Sequence, residues 1–153
     1  MIRSCMVLVL CMSFCPVVKG VETIWSAGQP RIQLIGPKLT GQTQEIVVDT
    51  LNRYFNDAFG WKIPVAAELN SETINLAVGN AANNDVLKLL VAGGIDLGTA
   101  ALGDEGFRIL SHQIDGNRVV IIAANTPQGL KHGCQELMYF RTAATPDRVS
   151  IDW

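Results

Sequence analysis

Residues 106–124, Gly106-Phe107-Arg108-Ile109-Leu110-Ser111-His112-Gln113-Ile114-Asp115-Gly116-Asn117-Arg118-Val119-Val120-Ile121-Ile122-Ala123-Ala124, decide the fold. The first part, through Ile114, reads as a strand. Asp115-Gly116 then reads as a tight hairpin turn, because both central positions of a type I′ turn need positive φ, which Gly adopts freely and Asp tolerates. Val119 to Ala124 is apolar at every position, so it alternates between two covered faces. A strand covered on both faces lies in the middle of a sheet, with helices or a second layer on either side.

Working outward toward the C-terminus, Thr126 is a helix cap and Pro127 occupies the first helical position, where its missing N–H costs nothing. Leu130, Cys134, Leu137 and Met138 line one side of that helix. Gly129 and Gly133 lie four apart on one face. They permit close backbone approach, either inside the domain against the sheet, the commoner use of small residues, or against a neighbour. Residues 142–153 show no period and are expected to form a linker or truncated tail.

Working toward the N-terminus, residues 94–104 are glycine-rich and read as a loop with one turn. Asp85 to Ala92 is a short helix, with Asn84 as its cap and Gly93-Gly94 as its stop. Residues 73–78 form a strand closed by Gly79-Asn80. Trp61-Lys62-Ile63-Pro64-Val65 is an extended edge piece, since Pro64 has no N–H for a ladder. Before it, Val47, Leu51, Tyr54, Phe55 and Ala58 repeat at helical spacing, with Glu45, Asp49, Asn52, Arg53 and Asn56 opposite. Thr40 or Thr43 is the candidate cap of this helix, and Gly60 its left-handed stop. Ile32-Gln33-Leu34-Ile35 is a strand ending at Gly36-Pro37. The order predicts an α/β (α+β) fold: a mixed sheet with helices packed on it, in a single layered domain.

The leader carries its own signal. Arg3 precedes the apolar run 5–15, and Val18-Lys19-Gly20 offers modest residues where a signal peptidase reads. Residues 1–20 are therefore expected to be a secretory signal peptide, which places the protein in the periplasm or outside the cell. The run is shorter than the roughly 20 apolar residues of a membrane span, so no stable span is expected after cleavage. An uncleaved anchor and a lipoprotein acylated at Cys15 are the other readings, the latter disfavoured by the bulk of Phe14. Beyond the leader Cys134 stands alone and cannot form an internal disulfide. It falls on an apolar helix stripe, where an inert buried thiol is commoner than a nucleophile.

With 153 residues, 48% of them hydrophobic, the chain can build one core. Its net charge of -2 includes no run of Lys or Arg, so nucleic acid is an unsuitable partner. Chemistry-bearing patterns are sparse. Asp104 and Glu105 are adjacent and diverge, Glu45 and Asp49 sit on a solvated helix face, and Asp85 suits a helix start. None pairs as a glycosidase acid and base would. His112 and His132 have no second metal ligand at the usual spacing. Gly93, Gly94, Gly98 and Gly103 lack the Gly-Lys-Ser/Thr of a phosphate loop, and Ser71 and Ser111 lack the glycines of a nucleophile elbow. No catalytic residue, metal ligand or cofactor is therefore assigned, and no ligand-binding residue is singled out. Trp25, Trp61 and Trp153 are either packing residues, the commoner role, or a sugar-stacking platform.

The ordered set Glu105-Gly106-Phe107-Arg108-Ile109, Asp115-Gly116-Asn117, Val119-Val120-Ile121-Ile122 and Asn125-Thr126-Pro127-Gln128-Gly129-Leu130-Lys131-His132-Gly133 resembles the N-terminal domain preceding the catalytic barrel in α-glucuronidases, β-N-acetylhexosaminidases and related polysaccharide-degrading enzymes. The strand 32–35, the helix 47–59, Gly60 and Ile63-Pro64-Val65 match the opening of that domain. Gln128 stands where that family commonly has Arg, and His132 where it has an aromatic residue. The resemblance covers most of residues 21–141 and implies a non-catalytic domain of a secreted glycoside hydrolase that braces a barrel. Such a barrel takes about 250 residues, so it is expected outside this sequence. A stand-alone module that binds polysaccharide is the alternative, and an unknown enzyme working through His132 and Cys134 is a third.

Overall fold

The computed structural model describes residues 21–35, 42–140, 142–145 and 148–152. The chain begins with β1 (Val21–Ser26) and β2 (Gln29–Pro30), joined through Ala27 and Gly28, both at positive φ. There follow β3 (Ile32–Ile35), α1 (Gln42–Phe59), β4 (Val65–Ala66), β5 (Ile74–Gly79) and α2 (Asp85–Ala92). The hairpin β6 (Arg108–Ile114) and β7 (Asn117–Ala123) leads to α3 (Pro127–Gln135), which widens into a π-helical turn over Glu136–Phe140. The last strands are β8 (Thr142–Thr145) and β9 (Arg148–Asp152).

Five strands form a mixed sheet in the order β4-β3-β5-β7-β6, parallel except for the antiparallel β6. The fold is thus an α+β domain with a mixed sheet between helices. Alternation along the central strands sorts the apolar run into two cores. Leu76, Val78, Val120 and Ile122 face α1 and α3, where they meet Val47, Leu51, Phe55, Leu130 and Leu137. Ala77, Val119, Ile121 and Ala123 face the other way, onto Leu87 and Leu90 of α2. Burying such side chains stabilises the fold by about 1.5–3 kcal/mol each.

The hairpin turn takes the expected conformation, with Asp115 at φ 48° and Gly116 at φ 80°. Gly60 ends α1 at φ 72°, its N–H bonded to the Asn56 carbonyl at 2.9 Å. Pro64 precedes the edge strand β4, and its carbonyl accepts from Leu34 N at 2.7 Å. Ala58, expected on the inner face of α1, is exposed, and Phe55 and Phe59 take the inward positions of the last turns. Thr43 lies inside α1 rather than capping it, and Thr40 lies outside the described residues, as does the leader 1–20. Among the described residues no helix is long and apolar enough to cross a membrane.

The expectation of a linker over 142–153 is overturned. A second, antiparallel sheet runs β2-β1-β9-β8, with Val21 opposite Asp152 and Ser26 opposite Arg148. Ile24 and Ile151 are 0% and 1% exposed and join the same core as α1. The physical reason is the period-two pattern of residues 148–152, which sends Ile151 inward and Arg148 outward. The domain therefore extends through residue 152.

One buried polar knot fixes the register of the central strands. Gln33 and Asn75 are directly opposed in β3 and β5, and Gln33 Nε2 donates to Asn75 Oδ1 at 2.9 Å. Asn75 is fully buried and donates to the carbonyls of Asn70 and Arg118, both at 2.9 Å. A slip of one residue would strand these amides among apolar side chains, where an unpaired polar group costs about 1–3 kcal/mol.

Candidate functional site

In open α/β sheets, ligands bind beyond the carboxyl ends of the strands, where neighbouring connections diverge to opposite faces. Here that point lies between β3, which leads through α1, and β5, which leads through α2. Asn84 occupies it. Its Oδ1 accepts from Val86 N and Leu87 N, capping α2, while its Nδ2 donates to Ile35 O and Val78 O, both at 3.2 Å. One side chain, 2% exposed, thereby caps a helix and ties the ends of two strands together. The neighbouring polar groups likewise bond within the domain. Asn83 Oδ1 accepts from Asn80 N at 2.7 Å and lies over Gly79, and Asn125 Nδ2 donates to Thr99 O at 2.7 Å.

The start of α3 is closed in the same manner. Thr126 Oγ1 caps the helix by accepting from Gly129 N at 3.1 Å and itself donates to the Asp104 carbonyl. A methyl group on Gly129 would meet the Gly106 carbonyl and Ala124, and one on Gly133 would meet Ile122 and the Phe107 ring. The two glycines therefore serve helix–sheet packing within the domain. In the glycine-rich loop, Gly98 sits at φ 62° with the Arg108 guanidinium against it, and its N–H is bonded to Asp96 Oδ1 at 2.7 Å.

The residues weighed for chemistry do not converge. Cys134 is wholly buried, and burial pushes its thiol up to about 12, the behaviour of an inert core residue. His132 is on the outer side of α3, where its Nε2 meets Gln128 Nε2 at 2.8 Å. Trp61 stacks on Phe55 with ring centroids 4.4 Å apart, and Trp25 stacks on Phe59 at 6.2 Å. These rings form one cluster at the end of α1 rather than a stacking platform; Trp153 lies outside the described residues. Asp104 and Glu105 are exposed, and among the described residues no group of three His, Cys, Asp or Glu could hold a metal ion.

Gly129, Leu130, Gly133 and Cys134 of α3 are buried between α1 and the sheet, so that helix offers no apolar face to a neighbour through these residues. Leu89 and Val91 of α2 are instead 69% and 44% exposed. Leu89 borders a groove of about 270 Å³ lined by Leu90, Ile95 and Ile114, with His112 and Asp115 at its rim. Ligand pockets run to about 300–1,000 Å³, so this groove suits a side chain protruding from a protein neighbour better than a saccharide.

No protein-family model and no curated protein matches the chain. The clearest exposed surface is the α2 face, whose signal in the sequence is Leu89 falling opposite the Leu87/Leu90 stripe of an otherwise well-formed amphipathic helix.

Proposed function

We propose that the chain is a non-catalytic accessory domain of an exported glycoside hydrolase, held against a catalytic barrel that lies outside this sequence. The reading rests on the family resemblance of residues 32–140 and on one structural observation, the exposed Leu89 beside an apolar groove. A large apolar side chain left exposed beside an apolar groove suits a contact face. Interfaces between domains of one protein are of this mixed, moderately apolar character. Residues 1–20 would direct export and be removed. The polar groups at the strand ends are spent on internal bonds, so the domain's contribution is support rather than turnover.

The purified chain is the test. With the α2 face uncovered it self-associates at high concentration in light scattering, and Leu89→Asp returns it to a monomer with unchanged circular dichroism. Turnover of aryl glycosides above a no-enzyme blank, or a wild-type chain that stays monomeric at those concentrations, would overturn the proposal.

A further inference from the structure

One margin of the five-stranded sheet differs from the other sheet margins. β6 forms it with seven residues, whereas the margins β4 and β2 have two each and β8 four. Long, regular edges invite a further strand, and proteins commonly blunt them with Lys, Pro, a bulge or a cover. β6 contains no Lys or Pro, and its register with β7 runs unbroken from Arg108↔Ala123 to Ile114↔Asn117. The loop before it spends its main chain on itself: Gly94, Ile95, Leu102 and Gly106 donate to Val91, Leu90, Thr99 and Gly103. The hairpin fixes which groups of β6 face outward. Ile114 and Asn117 flank a two-residue turn and so form a hydrogen-bonded pair, followed at alternate positions by His112, Leu110 and Arg108. The Arg118 carbonyl, which points away from β6 onto Asn75, agrees with this phase. The N–H and C=O groups of Ile109, Ser111 and Gln113 therefore point to the open edge. Among the described residues they have no main-chain partner.

We propose that, in the isolated chain, β6 pairs antiparallel with β6 of a second copy about a two-fold axis at Ser111, joining the two five-stranded sheets into one. The outward positions are centred on Ser111, which makes the edge complementary to itself. Ser111 meets Ser111 of the other copy, Ile109 meets Gln113, and each such pair exchanges two hydrogen bonds. The charges match as well. Arg108 and Asp115 are exposed at opposite ends of the strand, so the antiparallel arrangement brings each Arg beside the Asp of the other copy. A foreign strand would have to supply both charges at that same spacing. In this register Leu110 of one copy falls opposite His112 of the other, at the rim of the groove that Leu89 borders. The seam and the α2 face thus form one contact. The proposal gives a geometry to the self-association expected of the uncovered α2 face, and it rests on that reading of the face.

Sedimentation equilibrium of the wild-type chain beside Ser111→Lys, Arg108→Glu and Leu89→Asp tests the geometry. The wild type is expected to reach the dimer mass and stop there, because a two-fold contact closes on itself. Ser111→Lys sets like charges opposite each other on the axis and weakens dimerisation at least tenfold with unchanged circular dichroism. Arg108→Glu weakens it as well. Should Ser111→Lys disturb folding, mild oxidation of the Ser111→Cys chain decides. Opposed residues of such a pair have Cα atoms about 5.5 Å apart, within disulfide reach, so the tryptic peptide 109–118 is recovered joined to its own copy. Absence of that linked peptide, assembly beyond the dimer, or a Ser111→Lys chain that dimerises like the wild type while Leu89→Asp is monomeric overturns the strand pairing and leaves the accessory-domain reading standing. A wild-type chain that stays monomeric overturns both.

Discussion

Asn84 Nδ2 lies 3.2 Å from the Ile35 carbonyl, a contact spanning 49 positions of sequence, while the same side chain caps α2 through its oxygen. Cap and strand tie use opposite ends of one amide, so they can be separated by substitution. Asp and Asn are equivalent as caps on an isolated helix. Here Asn84→Asp keeps the acceptor but sets a carboxylate against the carbonyls of Ile35 and Val78. Asn84→Asp is therefore expected to destabilise the fold at least as much as Asn84→Ala, each by about 2–4 kcal/mol, in urea unfolding. Full stability of the Asp variant would show that the strand tie contributes nothing.

Gly133→Ala places a methyl group against Ile122 and the Phe107 ring, forcing α3 off the sheet. The expected loss is about 1–3 kcal/mol, the usual cost of overpacking, despite the better helix propensity of Ala. Thermal melting compared with an Ala substitution at the exposed Gln128 separates packing from propensity.

Cys134 couples stability to alkaline pH. Burial raises its thiol from the ordinary 9.0 to about 12, so between those values the folded chain holds a proton that the unfolded chain has lost. Stability conferred by the neutral thiol is complete below pH 9 and falls as pH rises through the window, by about 1.4 kcal/mol per pH unit. Cys134→Ala lacks this slope, although it costs some packing at neutral pH. Unfolding midpoints between pH 8 and 11 check the difference in slope.

Ile151→Ala is expected to destabilise the whole domain by about 2–5 kcal/mol, because Ile151 sits in the core shared with α1. A single cooperative transition shifted to lower denaturant is the expected trace. A biphasic one would mean that the four-stranded sheet unfolds separately.

The elements legible in the sequence were those with strong local signals. Asn84 with Gly93-Gly94 marked α2 to the residue, and Thr126-Pro127 and Asp115-Gly116 marked the start of α3 and the hairpin. The outer strands were not read. Val21–Ser26 sits directly after an apolar leader, and Arg148–Asp152 is too short for its alternation to stand out before its partner is known. Their pairing is the longest-range contact among the described residues, and no local pattern announces it. The same holds for Arg31, Arg118 and Arg148, which come to one surface only once β1 and β9 bring the two sheets together. The α2 face was missed for a different reason. Periodicity located the inner stripe of α2, whereas only the assembled domain shows that nothing in it covers Leu89.

The pairing of Val21 with Asp152 brings the two ends of the folded unit to one corner. Anything fused at either end would hang from the same point, like a pendant on one ring. The unit also suits insertion into a surface turn of a host protein, and a permuted chain that joins these ends through a few glycines and opens at Asp115-Gly116 retains every strand it needs.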